Sequence, residues 1–265
     1  ASHGQLSLNS NGSFAYEPNQ GYTGADSFTY KAYDGIDYSN IATVSVMITS
    51  PHPPLVLLAH WKLDDGGGTT AVDSSGNNNH GSLIGSGLTW VSGHLNGALS
   101  FNGGTSNHSY VEASVASGLD VNEVTVAFWL KMPESHQPWG PIVTLVGSSY
   151  DWDIEPGESG ELCLFGVAGG GAGVLTNSTS ATLNDDQWHH VAFTLSKSGN
   201  AARIYVDGNP DRSGGFSNSE AVKSVRLGYR TRLQGAWYSG LLDDVQIYNT
   251  ALSQSQIETL ADGGS

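Results

Sequence analysis

The chain has 265 residues, a formal net charge of −15, 35 glycines and a single cysteine. Its length suits one large domain or a large and a small one, and its acidity excludes duplex nucleic acid and anionic membrane as main partners, because both demand clustered Lys and Arg. Cys163 alone makes neither an intrachain disulfide nor a cysteine metal cluster.

The glycine excess, with many Ser, Thr and Asn, predicts turn-rich all-β structure. No run approaches the roughly 18 apolar residues of a membrane helix, so a soluble chain with no membrane insertion is expected. Nor does a charged and then apolar leader open it. Ala1 reads as the start of a mature or excised fragment, and low lysine with one cysteine fits a secreted or cell-surface bacterial protein.

In chain order, four short strands are predicted first: Gln5 to Asn9, Ser13 to Glu17, Ser27 to Asp34 and Ile41 to Ile48. In the last, Ala42, Val44, Val46 and Ile48 alternate with Ile41, Thr43, Ser45 and Met47, the period of a strand. Asn11-Gly12 and Asp34-Gly35 supply turns. Pro51, Pro53 and Pro54 stiffen the backbone and cannot continue a ladder, so residues 1–50 are read as one unit, 51–57 as a linker and 58–265 as a second domain.

The second block continues in strands: around Trp61 and Leu63, Leu99 to Phe101, Tyr110 to Glu112, Val124 to Met132, Ile142 to Val146, Glu161 to Val167, His189 to Leu195, Arg203 to Val206, Val225 to Gly228 and Leu242 to Tyr248. In the last of these Asp243 shares a face with Val245 and Ile247, and Asp244 with Gln246 and Tyr248. Asp207-Gly208 marks a hairpin. One short helix is predicted over Ser253 to Ala261, where Ser253 and Gln256 have capping-box spacing. So many strands predict a two-sheet antiparallel jelly-roll sandwich.

The segments Gly4 to Leu8, Gly12 to Pro18 and Gly21 to Tyr30 resemble the latter half of cadherin-like or immunoglobulin-like repeats of bacterial surface proteins. Four strands leave edges that further sequence or another chain must cover. The second block is similar to bacterial laminin-G-like domains of the concanavalin A-like lectin/glucanase superfamily. The carrying residues are Trp61 to Asp65 with Asp73 to Gly76, Gly97 to Phe101, Val124 to Lys131, Trp188 to Ala192, Tyr205 to Gly208, and Gly240 to Asn249 followed by Ala251-Leu252-Ser253.

Three constellations carry chemistry. Asp73 to Gly81 packs a carboxylate, amides and flexible backbone into nine residues, a donor set that suits calcium. The resemblance implies one structural calcium held by Asp73, Asn79 and Asp243, with Asp244 a further candidate. The bland alternative is an Asx turn with solvated carboxylates.

The second is aromatic and is read as lying in loops: Trp139 in one, Tyr150, Trp152 and Asp153 in another, and Arg230, Arg232, Trp237 and Tyr238 in a third. Rings stack on sugar C–H faces, and guanidinium groups at alternating positions hold a carboxylate or sulfate. The alternative places these tryptophans in the core and pairs the arginines with acidic residues; for Trp61, Trp129 and Trp188, set in strands, core is the reading. The third is Asp151, Asp153 and Glu155, three carboxylates on one face of any strand. Beta-glucanases of the resembling architecture carry a Glu-x-Asp-x-Glu pattern, but Asp151 stands at the nucleophile position, and Pro156-Gly157 points to a loop.

The expectation is a non-catalytic, calcium-stabilised module that binds an extracellular polysaccharide as part of a larger multidomain protein. A spacer without sugar affinity and a glycan hydrolase or lyase using Asp151, Asp153 and Glu155 are the alternatives. No nucleophile-elbow, zinc-protease or phosphate-loop motif is present.

Overall fold

The computed structural model describes residues 1–9, 11–19, 22, 24–48, 55–103, 109–115, 119, 122–148, 150–168, 171–174, 179–215, 221–230 and 237–263, with backbone alone at 150, 167–168 and 171–174. They form two compact units, Ala1–Pro54 and Leu55–Ser265. The prolines at 51, 53 and 54 lie outside the described residues.

In the first unit, β1 (Gly4–Leu8) pairs with β2 (Phe14–Pro18), and β3 (Gly24–Tyr30) with β4 (Ala42–Ile48), as two antiparallel hairpins. The predicted alternation holds in β4, where Ala42, Val44, Val46 and Ile48 are half-buried and Thr43, Ser45 and Met47 exposed. One carboxylate ties the hairpins together. Asp26 on β3 accepts from Tyr16 Oη (2.7 Å) on β2 and from the backbone N–H of His3 (2.9 Å) and Ser2 (3.1 Å). The Tyr16 hydroxyl, helped by those N–H groups, holds the Asp26 carboxyl far below its ordinary range although burial opposes it.

The second unit contains β5 (Leu57–Trp61), β6 (Thr70–Ala71), β7 (Gly81–Ile84), β8 (Leu88–Ser92), β9 (Gly97–Asn102), β10 (Tyr110–Ser114), β11 (Glu123–Lys131), β12 (Val143–Val146), β13 (Tyr150–Pro156) and β14 (Leu162–Ala168). It continues with β15 (Gly171–Val174), β16 (Trp188–Ser196), β17 (Ala201–Val206), β18 (Asn209–Gly214), β19 (Ser224–Leu227), β20 (Ser239–Tyr248) and α1 (Gln254–Ala261). A front sheet runs β15-β14-β13-β12-β19-β10-β7-β6, and a back sheet runs β18-β17-β16-β11-β20-β9-β8 with β5 also on β20. This is the predicted antiparallel jelly-roll sandwich.

The core lies between the sheets, where alternate residues meet: Val124, Val126, Phe128 and Leu130 of β11 and Val191, Phe193 and Leu195 of β16 face Trp152 and Ile154 of β13 and Val225 and Leu227 of β19. A smaller apolar cluster lies on the other side of the back sheet. There the short side chains of Ala127 and Ala192 leave room for α1 to lay Ile257 and Leu260 beside Tyr205 and Tyr248. The helix starts at the predicted capping box, with Ser253 as N-cap and Gln256 reaching back to the cap N–H (2.8 Å).

Two features depart from the sequence reading. β13 is a full strand: Pro156 is its last residue, so Pro156-Gly157 ends it and does not replace it with a loop. β20 carries a bulge. Ala127 opposes Gln246 but Trp129 opposes Asp243, so β20 holds one extra residue, and Asp244 takes φ 49° to accommodate it. Leu242, Val245 and Ile247 all reach the core, so Asp243 does not share their face. It lies opposite Trp129 on the outer side, as does Asp244, which meets His60 and Gln246 there.

Candidate functional site

Alternation along β13 decides the site. Trp152 (1% exposed) and Ile154 enter the core, which sends Asp151, Asp153 and Glu155 to the outer face of the front sheet. The ladder then places Phe165 of β14, Asp153 of β13, Thr144 of β12, Arg226 of β19 and Glu112 of β10 in one row across five strands. Cross-strand neighbours in such a row touch. Thr144 Oγ1 donates to Asp153 Oδ1 (2.5 Å), and Arg226 donates from Nε (2.9 Å) and Nη2 (2.7 Å) to Glu112 Oε1.

Arg230, just beyond β19, folds over the row. Its Nη1 pairs with Glu155 Oε2 and lies 3.4 Å from Asp153 Oδ2. Asp151, Asp153, Glu155 and Arg230 are all buried. Burial pushes the Asp153 carboxyl up to about 6, with Asp151 adding to the rise and Thr144 and Arg230 opposing it. Burial likewise pushes Glu155 up to about 7 against Arg230, with Asp153 adding to the rise.

Aromatic rings border this row. Tyr229 stacks on Trp237 with centroids 4.4 Å apart and planes 4° from parallel, and Tyr110 leans on Tyr229 at 4.9 Å. The Arg226 guanidinium lies 5.7 Å from the centroids of both tyrosine rings. Trp139 lies near the same end, edge-on to Phe165 at 6.5 Å and 39% exposed. It holds φ 64° and donates its N–H to Pro156 O (2.7 Å). Left-handed backbone is rare for a bulky residue and costs roughly 1–2 kcal/mol. Gly140 follows because a Cβ there would stand 2.5 Å from Trp237 O, so the two aromatic loops touch through it.

The predicted ligand residues therefore divide. Trp139 is exposed and lies at the border of the row. Trp152 and Tyr238 (1% exposed) are core residues and not loop contacts, because strand alternation turns Trp152 inward and Tyr238 packs within the sandwich. Trp237 is buried but stacks beneath Tyr229, and Asp153 and Arg230 are buried partners of one another. The Tyr150 side chain and Arg232 lie outside the described residues. Glu112, Thr144, Phe165 and Arg226 also join the row; Val111-Glu112-Ala113, Val143-Thr144-Leu145 and Val225-Arg226-Leu227 each show a polar residue between two apolar ones, the pattern of a strand with one outer face. Of the tryptophans read as core, Trp61 is core, whereas Trp129 is buried on the outer side of the back sheet under His94 (3.7 Å), and Trp188 is half-buried there.

The four predicted calcium ligands do not form one cage, and among the described residues no three His, Cys, Asp or Glu side chains group as a metal site. Asp73 accepts from His60 N (2.9 Å), Ser75 N (2.9 Å), Ser75 Oγ (2.9 Å) and Asn79 N (2.8 Å). Four donors around two oxygens suit a loop cap, not a cation. Asn79 donates Nδ2 to Leu58 O, and its own carbonyl accepts from Trp61 Nε1. Asp244 takes His60 Nε2 (2.5 Å) on one oxygen and Gln246 Nε2 (2.6 Å) on the other. Asp243 differs: Oδ2 accepts from Leu95 N (2.7 Å), while Oδ1 is buried without a partner. Burial, with Asp244 and Asp64 nearby, pushes its carboxyl up to about 7. Of the three carboxylates, Asp243 alone has a buried oxygen without a hydrogen-bond partner.

A family model described as the concanavalin A-like lectin/glucanases superfamily matches residues 102–258, and one described as a bacterial cadherin-like domain matches residues 1–50. A rat protein, "Sushi, von Willebrand factor type A, EGF and pentraxin domain-containing protein 1", is 26% identical over 156 residues, 53% of this chain and 4% of its own length, and its mouse counterpart matches to the same extent. The chain thus spans only a small part of these relatives. Domain 4 of AbnA, a GH43 extracellular arabinanase from Geobacillus stearothermophilus solved in complex with arabinotriose, superposes with a TM-score of 0.62 at 23% identity, covering 78% of this chain and 98% of that one. The binding domain of Paraclostridial Mosquitocidal Protein 1 gives 0.60 at 15% identity, covering 78% and 52%, and the botulinum neurotoxin serotype G binding domain 0.57 at 14%, covering 77% and 50%. At these identities the likeness is one of fold.

Proposed function

The chain belongs to the concanavalin A-like lectin/glucanases superfamily, and on that premise we propose that its larger unit is a non-catalytic module that binds an extracellular polysaccharide on the outer face of the front sheet. The observation that carries this is the aromatic border, with Trp139 held exposed in left-handed backbone and Tyr229 backed by Trp237. Fixed rings with a polar floor suit sugars, whose C–H faces stack while their hydroxyls find hydrogen-bonding partners. A protein of this fold solved with arabinotriose is a precedent for an oligosaccharide on such a scaffold.

The floor supports the non-catalytic reading. A glycosidase needs two carboxyl groups flanking the bond it breaks, but Asp153 and Glu155 are buried and share one guanidinium. They brace the site and do not face a substrate. The cadherin-like unit serves as a spacer in a larger secreted or surface protein. A structural cation belongs to the same proposal, with Asp243 its ligand and Asp64 close by, and it would neutralise a buried carboxylate.

Affinity electrophoresis through arabinan and a panel of other polysaccharides, run beside a reducing-end assay, tests the reading. Retardation without new reducing ends is expected, lost in Trp139→Ala and weakened in Tyr229→Ala. Release of reducing ends would overturn the non-catalytic role, and wild-type retardation of both variants would move the site elsewhere. For the cation, calcium titration by calorimetry should bind in the wild type and not in Asp243→Asn; no binding removes it.

A further inference from the structure

Building on the glycan reading of the front face, we infer that His136 is the positioning residue that pins Trp139 in its binding pose. Trp139 stands exposed at φ 64°, a backbone state that a bulky residue keeps only where its surroundings over-determine it. The turns within its own loop, His136 N to Pro133 O (2.9 Å) and Gly140 N to Gln137 O (3.4 Å), shape the loop without anchoring it to the sheet. Two other hydrogen bonds do that. Trp139 N–H donates to Pro156 O (2.7 Å), and His136 Nε2 donates to the next carbonyl along, Gly157 O (2.9 Å). Both acceptors lie at the end of β13, and two anchor points fix the orientation of the loop as well as its place.

The acceptor is itself held. Gly157 N donates to Glu161 O (2.7 Å) and Gly160 N to Gly157 O (3.3 Å), which closes residues 157–161 as a turn. Leu183 N then donates to Gly160 O (2.9 Å) and brings Asn184 alongside the imidazole. Asn184 Nδ2, which can only donate, lies 3.4 Å from His136 Nδ1. Glu134 O lies 3.5 Å from that amide nitrogen and 3.4 Å from Nδ1, and accepts the second amide hydrogen. Nδ1 is thus the acceptor of the ring, the proton sits on Nε2, and the Nε2–H is aimed at Gly157 O. His136 is buried, and three segments meet on its ring: the Trp139 loop, the turn after β13 and the chain ahead of β16.

Apparent affinity falls with the fraction of molecules whose site is in its competent form. Without the Nε2–H bond one anchor remains, the left-handed residue relaxes, and the Trp139 ring spreads over other positions. Glycan affinity drops while the core packing of Trp152 and Trp61 stays as it is.

The test replaces His136 in the whole chain by Phe, which keeps a ring but no donor, by Asn, whose amide reaches only the place of Nδ1, and by Gln, whose amide nitrogen reaches the place of Nε2. Affinity electrophoresis through arabinan, dextran and hydroxyethyl cellulose reads binding. Fluorine NMR of protein labelled with 5-fluorotryptophan, with the Trp139 resonance assigned by Trp139→Phe, reads the pose without any ligand. His136→Phe and His136→Asn should bind at least about tenfold more weakly and move or broaden the Trp139 resonance, with those of Trp61 and Trp152 in place; His136→Gln should restore both. Should His136→Phe fail to fold, Asn184→Ala decides, with about threefold weaker binding and the same resonance displaced. Wild-type binding or an unmoved Trp139 resonance in the deciding variant overturns the inference. So does a His136→Gln variant as weak as His136→Phe, or movement of the Trp61 and Trp152 resonances together with that of Trp139, the mark of a general structural role. If none of the three polymers retards the wild type while the Trp139 resonance still responds to His136, the glycan reading falls and the pin on Trp139 stands.

Discussion

Replacing Asp73 by Ala tests whether its loop is held by hydrogen bonds or by a cation. The side chain is 5% exposed and accepts from three backbone N–H groups and one hydroxyl. Hydrogen bonds to a charged acceptor contribute about 1.5–3 kcal/mol each, and a stranded buried donor costs about 1–3 kcal/mol. Water reaches part of the truncated loop, so the summed loss is discounted to about 3–5 kcal/mol. In a unit of this size that lowers Tm by roughly 10 °C. Asp73→Asn keeps one acceptor oxygen but aims an NH2 at existing donors, so it should lose at least about half as much. Urea unfolding followed by tryptophan fluorescence measures both. The drop should be equal with calcium and with chelator, because the donors, not a metal, satisfy Asp73. A loss under about 1 kcal/mol, or one that chelation of the wild type reproduces and the variant no longer shows, would refute the argument.

Other outcomes follow from the same geometry. Trp152→Ala should cost about 3–5 kcal/mol as a core cavity, whereas Trp139→Gly should cost less, because relief of roughly 1–2 kcal/mol of left-handed backbone offsets part of the lost packing on Phe165, while abolishing polysaccharide binding; thermal melts and affinity gels read the two effects separately. Asp153 and Glu155 have folded pKa values raised by burial to about 6 and about 7, so the stability they contribute is complete below about pH 4 and is lost as pH rises through those values. His190, which burial pushes down to about 4, has the opposite sign, losing stability as pH falls below its ordinary range. With two groups against one, the urea midpoint should be higher near pH 5.5 than near pH 8, the Asp153→Asn/Glu155→Gln variant should flatten the slope, and a midpoint rising from pH 5.5 to pH 8 would contradict the assignment. Ser253→Ala removes the N-cap of α1 and should cost about 1 kcal/mol by urea unfolding.

The architecture was legible because strand period and turn chemistry are local. Ala42 to Ile48 alternates in sequence and in burial, and Ser253 with Gln256 caps the helix that the spacing foretells. β13 was harder: Pro156-Gly157 suggested a loop, yet a proline is tolerated as the last residue of a strand, where the ladder ends. The two-residue β6, the glycine-rich β15 and the polar β18 acquire their strand character from the neighbours they pair with.

The candidate site divides along the same line. The sequence by itself determined that Asp151, Asp153 and Glu155 share a face, since that needs only the two-residue period of one strand. Only the tertiary structure decided that this face also carries Thr144, Arg226 and Glu112, that Arg230 closes over it, and that Trp152 turns away from it. Cross-strand register joins residues tens of positions apart, and no local period encodes it. The bulge in β20 is the sharpest case. One extra residue at Asp244 moves Asp243 from the core side to the outer side, leaves one of its oxygens without a partner, and cannot be seen until β11 lies beside it.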